Sequence, residues 1–338
     1  GRTPKVGDAP TKYIYAAGSH VLHAHFHTGD HLPQVWSNNE YDAIYCLALE
    51  AMRTRNAGVL RRLQAAVRHQ IEVDFVHYAD HWQHHRGTPA HSYDHVSGTA
   101  VIMSHQWTQG LYYYYALTGD DDVPEVIRAI CDYNIAFINR DEVSFTLGFD
   151  RELGWALVAL VFGYELTAEK KYIDAAGMVA RKLQYFAHSS DPKGLKKTSI
   201  PSVGVRAAAI GGGFYYNTIP LGFKVYHQAT NEPWARDLLF EWVDYGMTNF
   251  NNRASGTKLT ELFPETFCYV CELTGDKRYL KQSLWQLIMF FRGFSTIGWL
   301  DEMGGPLSTK QYARVYRGLL PFLSALSRAG MLEKVEKR

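Results

Sequence analysis

Thirteen of the chain's fifteen histidines fall within its first third, at 20, 23, 25, 27, 31, 69, 77, 81, 84, 85, 91, 95 and 105. The densest part reads His77-Tyr78-Ala79-Asp80-His81-Trp82-Gln83-His84-His85-Arg86, then His91-Ser92-Tyr93-Asp94-His95, then His105-Gln106-Trp107. Imidazole is the side chain that most readily moves protons or binds metals near neutral pH. Any single histidine is more often structural than catalytic. A cluster that also holds Asp80, Arg86, Tyr93, Asp94 and Trp107 points to proton-transfer chemistry beside aromatic rings able to hold a sugar.

Metal and nucleophile chemistries find weaker support. His23, His25 and His27, or His81, His84 and His85, supply zinc-type donors, but neither set has the helical i, i+4 pair that makes the His-Glu-x-x-His signal strong. The reading therefore requires no cofactor and leaves room for a divalent metal. No nucleophile-elbow sequence supports a Ser-His-Asp triad. Cys268-x-x-Cys271 lies in an apolar helical pattern with no second pair, so it reads as buried helical thiols. Gly211-Gly212-Gly213 reads as a tight loop, since no Lys-Ser/Thr follows to make a phosphate cradle.

With 338 residues and 46% hydrophobic content, the chain can bury a large core, in one large domain or two smaller ones. A net charge of +1 gives no pull towards nucleic acid or an anionic membrane. Four scattered cysteines make no disulfide scaffold. No run of about 18 apolar residues is present to cross a membrane. No signal-peptide pattern is visible, and a start at Gly1 leaves the compartment open.

The elements that must position the cluster are helices. An apolar helix ends in Leu-Thr-Gly-Asp or a degenerate version, and a second helix follows. The turns are Leu117-Thr118-Gly119-Asp120, Leu166-Thr167-Ala168-Glu169, Ala229-Thr230-Asn231-Glu232 and Leu273-Thr274-Gly275-Asp276, with a weaker copy at Thr54-Arg55-Asn56. Gly closes the first helix in a left-handed cap, and Asp or Asn, including Asp120, Asn231 and Asp276, caps the next. Pro124 and Pro233 fall just inside the following helices. Read outward, the pairs are 39–54 with 57–73, 97–117 with 122–139, 151–166 with 169–187, 212–229 with 232–249, and 258–273 with 276–292; a last helix covers 309–327. The first helix of each pair is the more apolar, as expected of an inner ring inside an outer one. Repeated hairpins predict an all-α fold, an (α/α)6-type toroid, with a flat solenoid as runner-up. Residues 1–36 read as an irregular or short β segment in which His23, His25 and His27 share one strand face. The toroid is expected over 37–328 and a polar tail over 329–338.

If the barrel closes, the loops entering the inner helices converge on one mouth. They carry Trp36, Asn38, Asn39, Glu40 and Asp42; Arg86, His91, Tyr93, Asp94, His95, His105 and Trp107; Asp150, Arg151, Glu152 and Trp155; Tyr215, Tyr216 and Asn217; Glu261 and Glu265; and Lys310, Tyr312 and Arg314. That mixture of aromatic platforms, amides, imidazoles and carboxylates suits binding and cleaving a glycan. Ser37-x-x-Glu40 also reads as a capping box, which competes with a catalytic role for Glu40.

Two stretches carry a resemblance: Gly29-Asp30 through Trp36-Ser37-Asn38-Asn39-Glu40-Tyr41-Asp42, and His91-x-x-Asp94-His95 through Ser104-His105-Gln106-Trp107-x-x-Gly110-Leu111. They resemble the (α/α)-toroid carbohydrate-active enzymes, the six-hairpin glycosidases and toroid polysaccharide lyases. The resemblance covers roughly 36–328. It implies a glycan partner, no nucleic acid or membrane partner, and a secreted or periplasmic setting. For a lyase it implies that an Asn, His or Arg neutralises a uronate carboxylate while a His or Tyr removes the C5 proton; Asn38, Asn39, His91, His95, His105, Tyr93 and Tyr216 match by type. For a hydrolase it implies an Asp/Glu pair from Asp42, Asp94, Glu152 and Glu265. The toroid arabinofuranosidases with a Cys-ligated zinc have an adjacent Cys pair that this chain lacks.

β-Elimination needs charge neutralisation and a base with a pKa near 7, which a His-, Tyr-, Asn- and Arg-rich segment supplies. The expectation is therefore a lyase acting on a uronate-containing glycan, with His95 or His105 as base. Trp36, Trp82, Trp107 and Tyr216 form aromatic subsites, and His84, His85, Arg86, Asp42 and Arg314 are further binding groups. A glycoside hydrolase on the same scaffold is the alternative. A non-catalytic helical repeat that binds glycan or protein is the third reading.

Overall fold

The computed structural model describes residues 41–77, 87, 103–139, 149–188, 218–249, 262–296 and 309–331. Eleven α-helices lie among these: α1 Ala43–Thr54, α2 Ala57–His69, α3 Gln109–Thr118, α4 Asp122–Ile138, α5 Phe149–Thr167, α6 Lys170–His188, α7 Thr218–Thr230, α8 Pro233–Asn249, α9 Phe263–Thr274, α10 Arg278–Thr296 and α11 Thr309–Arg328. A π-helical turn, Gln70–Asp74, continues α2, and a 3-10 turn, Met103–His105, precedes α3. The strand expected around His23–His27 lies outside the described residues.

All five hairpin turns share one hydrogen-bond device. The threonine that ends the first helix (Thr54, Thr118, Thr167, Thr230, Thr274) donates its hydroxyl to the carbonyl four residues back at 2.7–2.8 Å. The same oxygen accepts from the backbone N–H two residues on at 3.2–3.3 Å. The residue between is left-handed in every case: Arg55 (φ 53°), Gly119 (68°), Ala168 (55°), Asn231 (53°) and Gly275 (73°). Its N–H closes the helix on the carbonyl four residues earlier at 2.7–2.8 Å. Asn231 is thus the left-handed closing residue itself, in the glycine position of the repeat, and not the cap of the next helix. Asn56 and Asp276 do cap: Asn56 Oδ1 accepts from Gly58 and Val59, and Asp276 Oδ1 from Arg278.

Several helices start later than expected, including the 258–273 helix, which begins at Phe263. The 39–54 helix begins at Ala43 with Asp42 as its cap, so the Ser37–Glu40 box is not the cap of α1. The 97–117 helix becomes regular only at Gln109, which places His105 on the preceding 3-10 turn instead of inside a helix.

The described residues fall into two compact units, one drawn from 1–133 and 292–314, the other from 134–291 and 315–338. In the first, α1 packs on α2 and α3. In the second, α7 packs on α5, α6, α8 and α9. Every residue of α7 from Thr218 to His227 is buried. By contrast, among its described side chains α6 buries Tyr172, Ala175, Ala176, Val179, Ala180 and Leu183, one stripe at helical spacing. This is the enclosed and one-sided division expected of a first and a second hairpin member.

Glycines set the α5–α7 contact. A Cβ on Gly154 would stand 2.7 Å from the Thr218 backbone, and one on Gly222 would stand 2.8 Å from the Gly154 carbonyl. The two backbones touch because neither position carries a side chain.

Candidate functional site

The two sequence stretches that carry the resemblance meet in the first unit. Asp42 ends one and Gly110 lies in the other. Asp42 Oδ1 accepts from Tyr45 N at 3.0 Å and caps α1, while Oδ2 accepts from Gly110 N at 2.9 Å and ties α1 to the start of α3. Gly110 leaves the room: a Cβ there would collide with Asp42 Oδ1 and Tyr45 N. Tyr41 and Asp42 are both left-handed, at φ 67° and 62°. Such backbone costs of the order of 1–3 kcal/mol per residue and clusters at functional sites.

Beyond this clamp, His105 and Trp107 are buried with their rings 5.8 Å apart. The Trp107 carbonyl accepts from Gln70 Nε2 at 3.3 Å, which links the π turn to the site segment. Trp107 is only 2% exposed, its ring packed in the protein. Asp42, expected to bind substrate, has both oxygens engaged by backbone N–H groups.

Other histidines have structural partners. His69 Nε2 lies 3.6 Å from Asp74 Oδ1, His77 Nε2 2.8 Å from the Ile71 carbonyl, and His227 Nδ1 2.7 Å from the Tyr269 hydroxyl. Burial pushes the His227 imidazole below its ordinary range.

In the second unit, Arg151 and Glu152 open α5, with Arg151 Nη1 3.5 Å from Glu152 Oε1. Glu152 keeps 18% of its side chain exposed, whereas Arg151 keeps 6%. Deeper lies an ion cluster drawn from four helices. Glu265 of α9 has one oxygen 2.6 Å from Lys224 Nζ of α7 and the other 2.9 Å from Arg317 Nε of α11. The Arg317 guanidinium stands 5.4 Å from the centre of the Trp155 ring of α5. Burial pushes the Glu265 carboxyl up, but the Arg317 and Lys224 charges together hold it below the usual carboxylate range. Glu265 is therefore a fixed, wholly buried anion. Both of its oxygens lie beside cations.

Arg314 lies in the second turn of α11. Trp36, Asn38, Asn39, Trp82, His84, His85, Arg86, His91, Tyr93, Asp94, His95 and Tyr216 lie outside the described residues, as do both histidine sets considered for zinc. Among the described residues no three His, Cys, Asp or Glu side chains are grouped to hold a metal, and no helix is long and apolar enough to cross a membrane. Cys268 and Cys271 are buried free thiols on α9, and burial pushes Cys268 up to about 12. Sequence reasoning missed Lys224 and Arg317. The available signal was a charged residue inside an apolar helical run, Gly222-Phe223-Lys224-Val225-Tyr226.

The chain has an all-α fold of the (α/α)-toroid type, the fold of the six-hairpin carbohydrate-active enzymes. Among solved structures it is similar to the family 76 glycoside hydrolase (mannosidase) Bt3792 from Bacteroides thetaiotaomicron VPI-5482, with a TM-score of 0.62 and 12% identity over 95% of this chain and 99% of that one. A family 76 glycoside hydrolase from a bovine Bacteroides thetaiotaomicron strain matches with a TM-score of 0.61 and 14% identity, over 94% of this chain and 77% of that one. The Lin0763 protein from Listeria innocua matches with a TM-score of 0.55 and 10% identity, over 88% and 87%. No protein-family model and no curated protein matches the sequence.

Proposed function

We propose that the chain is a carbohydrate-active enzyme that hydrolyses glycosidic bonds, in preference to the β-eliminating lyase expected from the sequence. The observation that carries this reading is the match, over 94–95% of the chain, to two structures described as family 76 glycoside hydrolases. The site chemistry supports it by elimination among carboxylates. Hydrolysis uses two carboxyl groups, one ionised and one protonated. Asp42 and Glu265 are committed to backbone donors and to cations. Glu152 is half-buried at the opening of α5, beside Arg151, and is the carboxylate we assign to the pair.

The test is product analysis on a panel of neutral and uronate-containing polysaccharides. New reducing ends without ultraviolet absorbance from a new double bond are expected; that absorbance would return the lyase reading. Glu152→Gln is expected to lower turnover by about 10²–10⁴-fold in a folded protein, and undiminished turnover would remove Glu152 from the pair.

A further inference from the structure

Several departures from the local rules of structure meet on one stretch of the first unit. Every residue from Ser104 to Gln109 is buried, and Ser104, His105, Gln106, Thr108 and Gln109 among them are polar. Taking polar side chains out of water costs free energy that apolar ones do not incur. Asp42, left-handed before α1, accepts from Gly110 N just past this stretch. A π-helical turn, an uncommon form that recurs at functional sites, continues α2, and its first residue, Gln70, bonds the Trp107 carbonyl. Proteins break local rules chiefly where function or strain requires it.

Gln70 occupies a core position. Leu63, Val67, Gln70 and Ile71 are all buried, at the i, i+4, i+7, i+8 spacing of one helix face. A leucine would fill the place with no polar group to desolvate. The glutamine donates from Nε2 to the Trp107 carbonyl at 3.3 Å, and its Oε1 has no hydrogen-bond partner among the described residues. A buried acceptor left unmade carries a desolvation penalty, so the amide is kept there at a cost. The bond it does make falls on backbone two residues beyond His105. Asp42 grips the same chain three residues further on, at Gly110.

We propose that Gln70 is a positioning residue: through the Trp107 carbonyl it sets the place of the His105–Trp107 backbone, on which turnover depends. This rests on the glycan-hydrolase reading and adds to it a residue that acts from behind the site. A misplacement of about 1 Å caused from outside the reacting groups can lower turnover by about 100-fold. A glutamine that only satisfied a carbonyl would change stability and leave the turnover of the folded protein alone.

The wild type is compared with Q70M, Q70E and V67A, with circular dichroism as the check on folding. Methionine matches glutamine in length and donates nothing. V67A opens a cavity on the same buried face and leaves the bond to Trp107 in place. On a glycan that the chain cleaves, Q70M is expected to lower kcat by about 10- to 100-fold with KM within about 2-fold, and V67A to keep both within about 2-fold. In Q70E only the protonated carboxyl can donate, so its kcat relative to wild type should climb as pH falls. Undiminished kcat in folded Q70M, or an equal loss in V67A, overturns the assignment. If Q70M does not fold, a Q70E ratio that is flat with pH overturns it. The ring signal of His105, identified by its loss in H105Q, is followed by NMR in the same proteins. It should shift in Q70M and Q70E and stay in V67A; an unshifted signal in the Gln70 variants also overturns the assignment. A shifted signal without turnover of any glycan contradicts the hydrolase reading and leaves Gln70 standing. Turnover with an unshifted signal and full kcat does the reverse.

Discussion

Arg317 Nε and Glu265 Oε2 meet at 2.9 Å with neither side chain exposed to solvent, and Lys224 holds the opposite carboxylate oxygen at 2.6 Å. One carboxylate thereby joins three helices, α7, α9 and α11. A buried anion can be kept there only because its partners are fixed.

Removing it should be costly. Glu265→Gln leaves two cations buried without their counter-charge and is expected to destabilise the protein by about 3–5 kcal/mol. The pH dependence has a definite sign. The folded carboxyl titrates below its unfolded value, so its contribution is complete above the unfolded pKa and disappears as pH falls through the folded one. Urea unfolding across the acid range checks both points. The variant should show the loss at neutral pH and a flatter pH dependence below the ordinary carboxylate range.

The α5–α7 contact makes a second prediction. Gly154→Ala and Gly222→Ala each push a Cβ to within 3 Å of the facing backbone, and each is expected to cost about 1–3 kcal/mol by separating the helices. The double variant should cost less than the sum, because one separation relieves both clashes. Denaturant midpoints of the three variants check this, and strict additivity would contradict a shared contact.

The hairpin turns make a third. Ala168 adopts φ 55° where Gly119 and Gly275 serve the same role at 68° and 73°. A left-handed residue with a Cβ costs roughly 1–2 kcal/mol. Ala168→Gly should therefore raise the melting temperature, net of the extra freedom it gives the unfolded chain, and Gly275→Ala should lower it. Thermal unfolding of the two variants gives the signs.

The hairpins were legible because their signals are local. A threonine, a left-handed residue and a polar successor recur at all five turns, and nine of the eleven helices end within two residues of the expected C-terminus. The helix starts at Ala43 and Gln109 were not legible, because tertiary contacts set them. Asp42 caps α1 only where it can also reach Gly110, 68 residues away in sequence. The Glu265 cluster was half legible. Glu265 stood out as a carboxylate near a helix start, but its neutralisation by Lys224 and Arg317 depends on residues 41 and 52 positions away. Of the histidine concentration, His105 lies in the stretch that Asp42 and Gln70 bind. The burial of Trp107 was hidden, since composition marks an aromatic ring and not its exposure.

The central claim is hydrolysis, and the fate of solvent oxygen tests it most directly. A cleaved glycan is digested in ¹⁸O-labelled water, its new reducing ends are trapped at once by borohydride, and the products are weighed by mass spectrometry. Hydrolysis breaks the bond to the anomeric carbon and predicts one heavy oxygen at each new reducing end. Products with no heavy oxygen and an unsaturated terminal sugar would contradict the account.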